Sequence, residues 1–167
     1  MTWQDHLDPG TILVADDMPL TLSTIEHLLT RTGSARPAHA RCGLTALEAL
    51  DADHQQRFRL LISDFYMPNL NGLELIRRLR AGETRARRDM HVVVLSGETD
   101  ISLVEAARLL DVDAVLPKPI SRAQLHQTLD LVLSHPRHIR DAAHYRGADI
   151  AAAALDLARR AGLVEEA

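Results

Sequence analysis

Short apolar runs alternate with segments whose apolar residues recur every three or four positions, from residue 11 to about residue 133. A short apolar run is typical of a strand, and a period of three to four residues is typical of an amphipathic helix. Because the strands of a covered parallel sheet are apolar throughout, the pattern predicts a doubly wound α/β fold. The five predicted strands are residues 11–15, 35–40, 59–63, 91–95 and 113–116.

The predicted helices lie between and after these strands. They cover about residues 19–31, 44–50, 72–81, 101–110 and 121–133. Leu44, Leu47 and Leu50 predict the buried side of the second helix. Pro37 would confine the second strand to an edge of the sheet, because a proline cannot donate to a neighbouring strand.

The third helix has an apolar side and a basic side. The residues of the apolar side are Leu73, Ile76 and Leu79. We expect the arginines of this helix, Arg77, Arg78 and Arg80, to lie largely in solvent. The basic loop at residues 85–88 is also expected to be solvated, which is the more common meaning of a charge cluster.

Composition and charge narrow the classes of function. The length of 167 residues, with 46% hydrophobic and 25% charged residues, predicts a single globular domain. A net charge of -4 and an aromatic content of 3% argue against direct binding of nucleic acid. Cys42 is the only cysteine, which excludes an internal disulfide. Without a signal pattern or an apolar run that spans a bilayer, we expect a cytoplasmic protein with no membrane insertion.

Polar residues stand at the carboxyl ends of four predicted strands. They are Asp16 and Asp17, Asp64, Ser96, and Lys118. Because parallel strands end at one edge of the sheet, we expect these side chains to converge in a shallow pocket. The alternative is a set of unrelated helix caps and surface charges. For Asp64 a capping role fits poorly, since Asn69 and Asn71 lie nearer the next helix.

The residue types predict phosphoryl chemistry that depends on a divalent cation. Three gathered carboxylates repel one another unless a cation neutralises them, and oxygen ligands without His or Cys suit Mg²⁺. An oxygen of Asp64 can attack phosphorus as aspartates do in aspartyl-phosphate enzymes. Lys118 would then neutralise one phosphoryl oxygen, and Ser96 would donate a hydrogen bond to another.

The order and spacing of these motifs resemble the CheY-like receiver domain of two-component response regulators. The motifs are Asp16-Asp17, Asp64 with the later Met67-Pro68 and Asn71-Gly72, Ser96, and Lys118-Pro119. The resemblance covers about residues 11–134 and implies a flavodoxin-like sheet with strand order 2-1-3-4-5. It leaves residues 1–10 as an N-terminal leader and residues 135–167 as a C-terminal extension.

The resemblance also implies a metal site and its ligands. Asp64 corresponds to the phosphoacceptor and a metal ligand, Asp17 to a direct Mg²⁺ ligand, and Asp16 to a ligand through water. The main-chain carbonyl of Tyr66 would complete the protein ligands.

Three further positions follow from the resemblance. Ser96 matches the switch hydroxyl and Lys118 the phosphate-binding lysine. The peptide bond between Lys118 and Pro119 matches one that is usually cis in the family. Val115 stands where many receivers have an aromatic ring that swings inward on phosphorylation. A valine has no ring to move, so the signal would be transmitted in another way. The alternative is that Val115 simply packs in the core.

The implied function is a signalling switch controlled by phosphorylation. A sensor histidine kinase or a phosphotransfer protein would supply the phosphoryl group to Asp64. A downstream protein target, or a second copy in a homodimer, would bind the face formed by the fourth helix, the fifth strand and the fifth helix. On this interpretation the chain is not an enzyme with a separate substrate, because it catalyses only its own phosphorylation and dephosphorylation.

Two alternatives stay open. An aspartyl-phosphate hydrolase usually has a second Asp two residues after its nucleophile, where this chain has Tyr66. A receiver scaffold that works without phosphate is kept open by Val115. A related hypothesis is that Tyr66 and Glu98 flank the phosphoryl group and control the entry of water.

The C-terminal extension is predicted to contain a short amphipathic helix capped by Asp149. Its apolar positions are Ile150, Ala153, Ala154, Leu157 and Ala158. A segment of this length is too short for an ordinary output domain. Three roles for this helix stay open: it packs back on the receiver, it pairs with a second subunit, or it docks a partner. His135, His138 and His144 have irregular spacing, which favours solvated side chains over a metal site.

Overall fold

The computed structural model describes residues 1–30, 34–97 and 101–152. Within these residues the chain forms a parallel sheet with the order β2-β1-β3-β4-β5. The strands are β1 (Ile12–Ala15), β2 (Ala38–Ala40), β3 (Leu60–Asp64), β4 (His91–Ser96) and β5 (Ala114–Pro117). The predicted α/β class and the strand order 2-1-3-4-5 are therefore confirmed, with β2 at an edge directly after Pro37.

Helices connect the strands and cover both faces of the sheet. They are α1 (Trp3–His6), α2 (Pro19–Leu29), α3 (Gly43–Asp51), α4 (Gly72–Arg80), α5 (Ile101–Leu109), α6 (Arg122–Leu133) and α7 (Ala142–Arg146). Asn71 and Ser121 cap α4 and α6, since their side chains accept hydrogen bonds from the first-turn amides of Glu74 and Gln124. None of the helices in the described residues is long and apolar enough to cross a bilayer.

Successive strand residues face opposite sides of the sheet, so two apolar layers form. Leu13, Leu61 and Val92 face the layer covered by α3, α4, α5 and α7. Ile12, Leu60 and Val93 face the layer covered by α1, α2 and α6. Because the strands are parallel, their carboxyl ends lie together at one edge of the sheet.

The structure corrects the prediction for Arg80, whose side chain is fully buried at the end of α4. Its guanidinium donates to the carbonyl oxygens of Met90 at 2.8 Å and of Leu110 and Asp111 at 3.2 Å, and it also bonds that of Arg88. Burial lowers the pKa of Arg80 to about 9, so the group remains charged at neutral pH. Arg80 therefore joins the end of α4 to the chain that enters β4 and β5.

Two smaller predictions about exposure were also wrong. Leu44 is 44% exposed, and the buried side of α3 is formed by Ala46 and Leu50. In the basic loop Arg88 is half-buried, because its guanidinium bonds the carbonyl oxygens of Arg80 and Arg140. A charge cluster was therefore a poor guide to exposure in this loop.

Both ends of the described chain pack against the apolar layers of the sheet. Trp3 is buried in the second apolar layer, and Tyr145 is buried in the first. The predicted capping role of Asp149 is confirmed by its bond from the amide of Ala152 at 2.8 Å. The other apolar positions proposed for that helix, from Ala153 to Ala158, lie outside the described residues.

Candidate functional site

The polar residues predicted at the strand ends meet at one edge of the sheet. Asp16 and Asp17 follow β1, whereas Asp64 ends β3. Each of these three residues offers a carboxylate oxygen, and the three oxygens lie within 4.8 Å of one another. Because β1 and β3 run parallel and pair directly, residues distant in sequence converge at the carboxyl ends of these two strands.

Lys118, which follows β5, lies between two of these carboxylates. Its Nζ is 2.7 Å from Oδ2 of Asp16 and 3.3 Å from Oδ1 of Asp64. The amide of Lys118 donates to the carbonyl oxygen of Ser96 at 2.7 Å, which fixes its backbone beside the end of β4. The peptide bond between Lys118 and Pro119 is cis, as the resemblance implied.

Burial differs among the acidic residues and sets their electrostatics. Asp16 is fully buried and Asp64 is 6% exposed, whereas Asp17 lies in solvent. Burial raises the pKa of Asp64, an effect that Lys118 opposes and Asp16 reinforces. Burial also opposes the charge of Lys118, yet its hydrogen bond to Asp16 and its attraction to Asp64 raise the pKa of the ammonium above its ordinary value. Lys118 is thus charged at neutral pH.

The loop after β3 holds Asp64 by backbone contacts. The amide of Phe65 donates to Oδ1 of Asp64 at 2.9 Å and to the carbonyl oxygen of Leu95 at 3.1 Å. Gly72 lies so close that a Cβ there would be 2.1 Å from the carbonyl oxygen of Asp64. The loop can therefore return to the start of α4 only with glycine at this position.

Three other predicted positions differ in their burial. Ser96 is the buried last residue of β4, and Val115 of β5 is half-buried against the first apolar layer. Tyr66 is 62% exposed, and its ring packs edge-on against Phe65 with centroids 4.4 Å apart. Glu98, the proposed counterpart of Tyr66, lies outside the described residues.

The donor set fits a hard divalent cation. Within the described residues, the only group of three or more His, Cys, Asp or Glu side chains arranged for a metal is Asp16, Asp17 and Asp64. Both oxygens of Asp16 accept hydrogen bonds, one from Lys118 and one from the amide of Met18 at 2.8 Å. Carboxylates without nitrogen or sulfur ligands suit Mg²⁺.

Some features lie outside the cluster or were not predicted. His135 and His138 are exposed at the far end of α6, and within the described residues no histidine joins a metal-binding group.

Met18 and Leu20 are 54% and 75% exposed next to Asp17. Their apolar character, directly after the acidic pair, was the signal in the sequence that could have indicated a contact surface.

Comparison with known proteins points to one family. The profile of the response regulator receiver domain matches residues 12–130. The chain is 30% identical over 122 residues to the chemotaxis protein CheY1 of Helicobacter pylori, covering 73% of this chain and 95% of that protein. It is 32% identical over 124 residues to the sensory/regulatory protein RpfC of Xanthomonas campestris, covering 74% of this chain but only 16% of RpfC.

Solved structures of receiver domains share the fold of this chain. A response regulator receiver domain protein from Clostridium thermocellum superposes with a TM-score of 0.64 at 24% identity, covering 74% of this chain and 93% of the other. The receiver domain of a signal transduction histidine kinase from Syntrophus aciditrophicus gives a TM-score of 0.61 at 28% identity, covering 74% and 89%. The sheet and its helices are thus those of known receivers.

Proposed function

The chain belongs to the response regulator receiver domain family, and on that premise we propose that it is a switch in which Asp64 accepts a phosphoryl group in the presence of Mg²⁺. The observation that carries the proposal is the placement of Lys118 against Asp16 and Asp64 at the edge where Asp17 also lies. The carboxylate of Asp64 provides the nucleophile, and the neighbouring ammonium of Lys118 provides a positive charge that holds a phosphoryl group.

Asp16, Asp17 and Asp64 would hold the metal, together with the main-chain carbonyl of Tyr66. Asp17 is exposed and suits direct ligation, whereas both oxygens of Asp16 already accept hydrogen bonds and suit ligation through water. When bound, Mg²⁺ neutralises the carboxylates and the oxygens of an incoming phosphoryl group.

The reaction begins at an oxygen of Asp64. This oxygen forms a bond to phosphorus while the bond from phosphorus to the donor's imidazole nitrogen breaks, and the electron pair leaves with the donor. No general base is needed, because the carboxylate is ionised at neutral pH. Lys118 binds a phosphoryl oxygen, and the hydroxyl of Ser96 donates to another. Attack of water on phosphorus later releases phosphate and restores Asp64.

The donor would be a sensor histidine kinase or a phosphotransfer protein. Met18, Leu20 and Tyr66 are exposed beside the acidic cluster and form an apolar rim against which a donor domain can pack. A downstream target or a second copy would bind the face formed by α5, β5 and α6, where Val104 and Leu131 are 46% and 63% exposed. Such donors and the free Cys42 are consistent with a place in the cytoplasm.

Beryllofluoride, a mimic of the phosphoryl group, tests this proposal. With Mg²⁺ it should raise the melting temperature of the wild-type chain and leave that of Asp64→Asn unchanged. Equal shifts in both proteins, or no shift in wild type, would contradict a phosphoacceptor role for Asp64.

A further inference from the structure

The segment from residue 137 to residue 150, here called the C-terminal strap, crosses the receiver from the end of α5 to the flank of α4. Tyr145 is its buried centre. The hydroxyl of Tyr145 donates to Oδ2 of Asp111 at 2.6 Å and accepts from the amide of Arg140 at 2.8 Å. The strap is therefore held by a specific polar contact as well as by apolar packing.

Ion pairs fix the same end of the strap. Arg140 lies 3.3 Å from Oδ1 of Asp111, and Arg137 pairs with Asp113. Asp113 in turn accepts a hydrogen bond from the amide of Val92 at 2.7 Å. The start of the strap is thereby tied to the turn that joins α5 to β5 and to the beginning of β4.

The other end of the strap reaches the side of the phosphoacceptor loop. The helix α7 packs on α4. Ala148 and Ile150 pack against the same apolar layer as Phe65. Phe65 and Ile150 also line one cleft of about 630 Å³ between the strap and the first turn of α4. A single continuous segment thus connects the end of α5 with the surroundings of Phe65.

Phe65 lines this cleft and is also joined to the reacting group. Its amide bonds Oδ1 of Asp64, and its ring packs edge-on against Tyr66. A displacement of Phe65 would therefore move the phosphoacceptor carboxylate and the exposed ring beside it together. Neither effect requires the strap to touch the acidic cluster itself.

We propose that Tyr145 and Ile150 are positioning residues for the phosphoryl chemistry of Asp64, acting through Phe65. The strap holds the loop in the arrangement that limits the entry of water, and so lengthens the life of the aspartyl phosphate. This inference rests on the proposed function of Asp64. Because coupling between two sites is reciprocal, phosphorylation in turn tightens the docking of the strap.

The test uses the full chain with Tyr145→Phe and Ile150→Ala, and Leu44→Ala as a matched apolar truncation at an exposed position of α3. Each protein is phosphorylated by acetyl phosphate and Mg²⁺, the donor is removed, and the loss of phosphate is followed with amide hydrogen exchange at residues 65–72. Both strap variants should lose phosphate roughly fivefold faster and exchange faster. Leu44→Ala should match wild type, and Ile150→Val should retain most of the wild-type lifetime.

The outcomes separate the two proposals. No uptake of phosphate by the wild-type chain would overturn the proposed function of Asp64. Normal uptake with equal lifetimes in wild type and both strap variants would overturn the positioning role alone. Faster exchange with an unchanged lifetime would also overturn it, because the strap would then stabilise the loop without affecting its chemistry.

Discussion

Nζ of Lys118 lies 2.7 Å from Oδ2 of Asp16, a residue 102 positions earlier in the chain. The carboxylate of this ion pair is out of contact with solvent, because Asp16 is fully buried. A buried carboxylate without a partner is strongly unfavourable, so this contact contributes to the fold as well as to the site. The same ammonium is 3.3 Å from Oδ1 of Asp64. One cation therefore both pairs with the buried Asp16 and lies beside the proposed phosphoacceptor.

Replacement of Lys118 separates phosphate binding from metal binding. In Lys118→Met the repulsion between Asp16 and Asp64 is no longer compensated by the ammonium. We expect phosphate uptake from acetyl phosphate to fall by about 100-fold. Mg²⁺ should bind several times more tightly, because a competing positive charge has been removed. Isothermal titration and phosphate incorporation measure the two effects, and changes in the same direction would contradict the assigned role.

The raised pKa of Asp64 predicts how its replacement affects stability. A carboxyl whose pKa is higher in the folded state stabilises the fold below its unfolded pKa, and this contribution is lost as pH rises through the folded value. At neutral pH without metal, Asp64→Asn should therefore be more stable than wild type. The difference should shrink as pH falls through the raised pKa of Asp64 and should be smallest below about 4, where the carboxyl is protonated in both the folded and the unfolded state. Denaturant unfolding at several pH values checks this, and a difference independent of pH would contradict it.

Arg80 is predicted to contribute far more to stability than its neighbour Arg78. The Arg80→Ala substitution removes the donor from several buried carbonyl oxygens and should lower the free energy of unfolding by about 3 kcal/mol or more. Arg78 makes a partly exposed ion pair with Glu74, so Arg78→Ala should change it by about 0.5 kcal/mol at most. Equal effects in urea unfolding would contradict this view of Arg80.

Gly72 is predicted to be required for the loop that carries Asp64. A Cβ at this position would lie 2.1 Å from the carbonyl oxygen of Asp64, so backbone must move in Gly72→Ala. We expect a loss of about 3 kcal/mol of unfolding free energy and weaker binding of beryllofluoride. Gly97→Ala is the control, because no atom of the described residues, apart from the chain neighbours of Gly97, lies within 4 Å of the added Cβ. Similar losses in both variants would show that close packing at Gly72 is not the cause.

The sheet and the acidic cluster follow from local features of the sequence. β1, β3, β4 and β5 are largely apolar runs that end at or just before a polar residue, and parallel pairing places Asp16, Asp64 and Lys118 at one edge. No information about distant contacts is needed for this step. The sequence predicted that Lys118 and Asp16 would lie in one pocket, but the direct ion pair between them was not predicted.

Burial at the ends of the elements was harder to predict. Arg80 lies on the same helical stripe as Leu73 and Ile76, yet its charge indicated solvent; only carbonyl oxygens from distant turns make its burial favourable. Trp3 and Tyr145 lie outside the regular alternation, and the surfaces that bury them exist only after the sheet has formed. An isolated aromatic residue in a polar segment was the only local signal for either of them.

The account depends most directly on phosphoryl transfer to Asp64, which the intact mass of the full chain measures after incubation with acetyl phosphate and Mg²⁺. We predict that wild type gains one acid-stable but base-labile phosphoryl group, that chelation of Mg²⁺ prevents the gain, and that Asp64→Asn gains none. Phosphorylation of Asp64→Asn to the same extent as wild type, or no phosphorylation of wild type, would contradict the account.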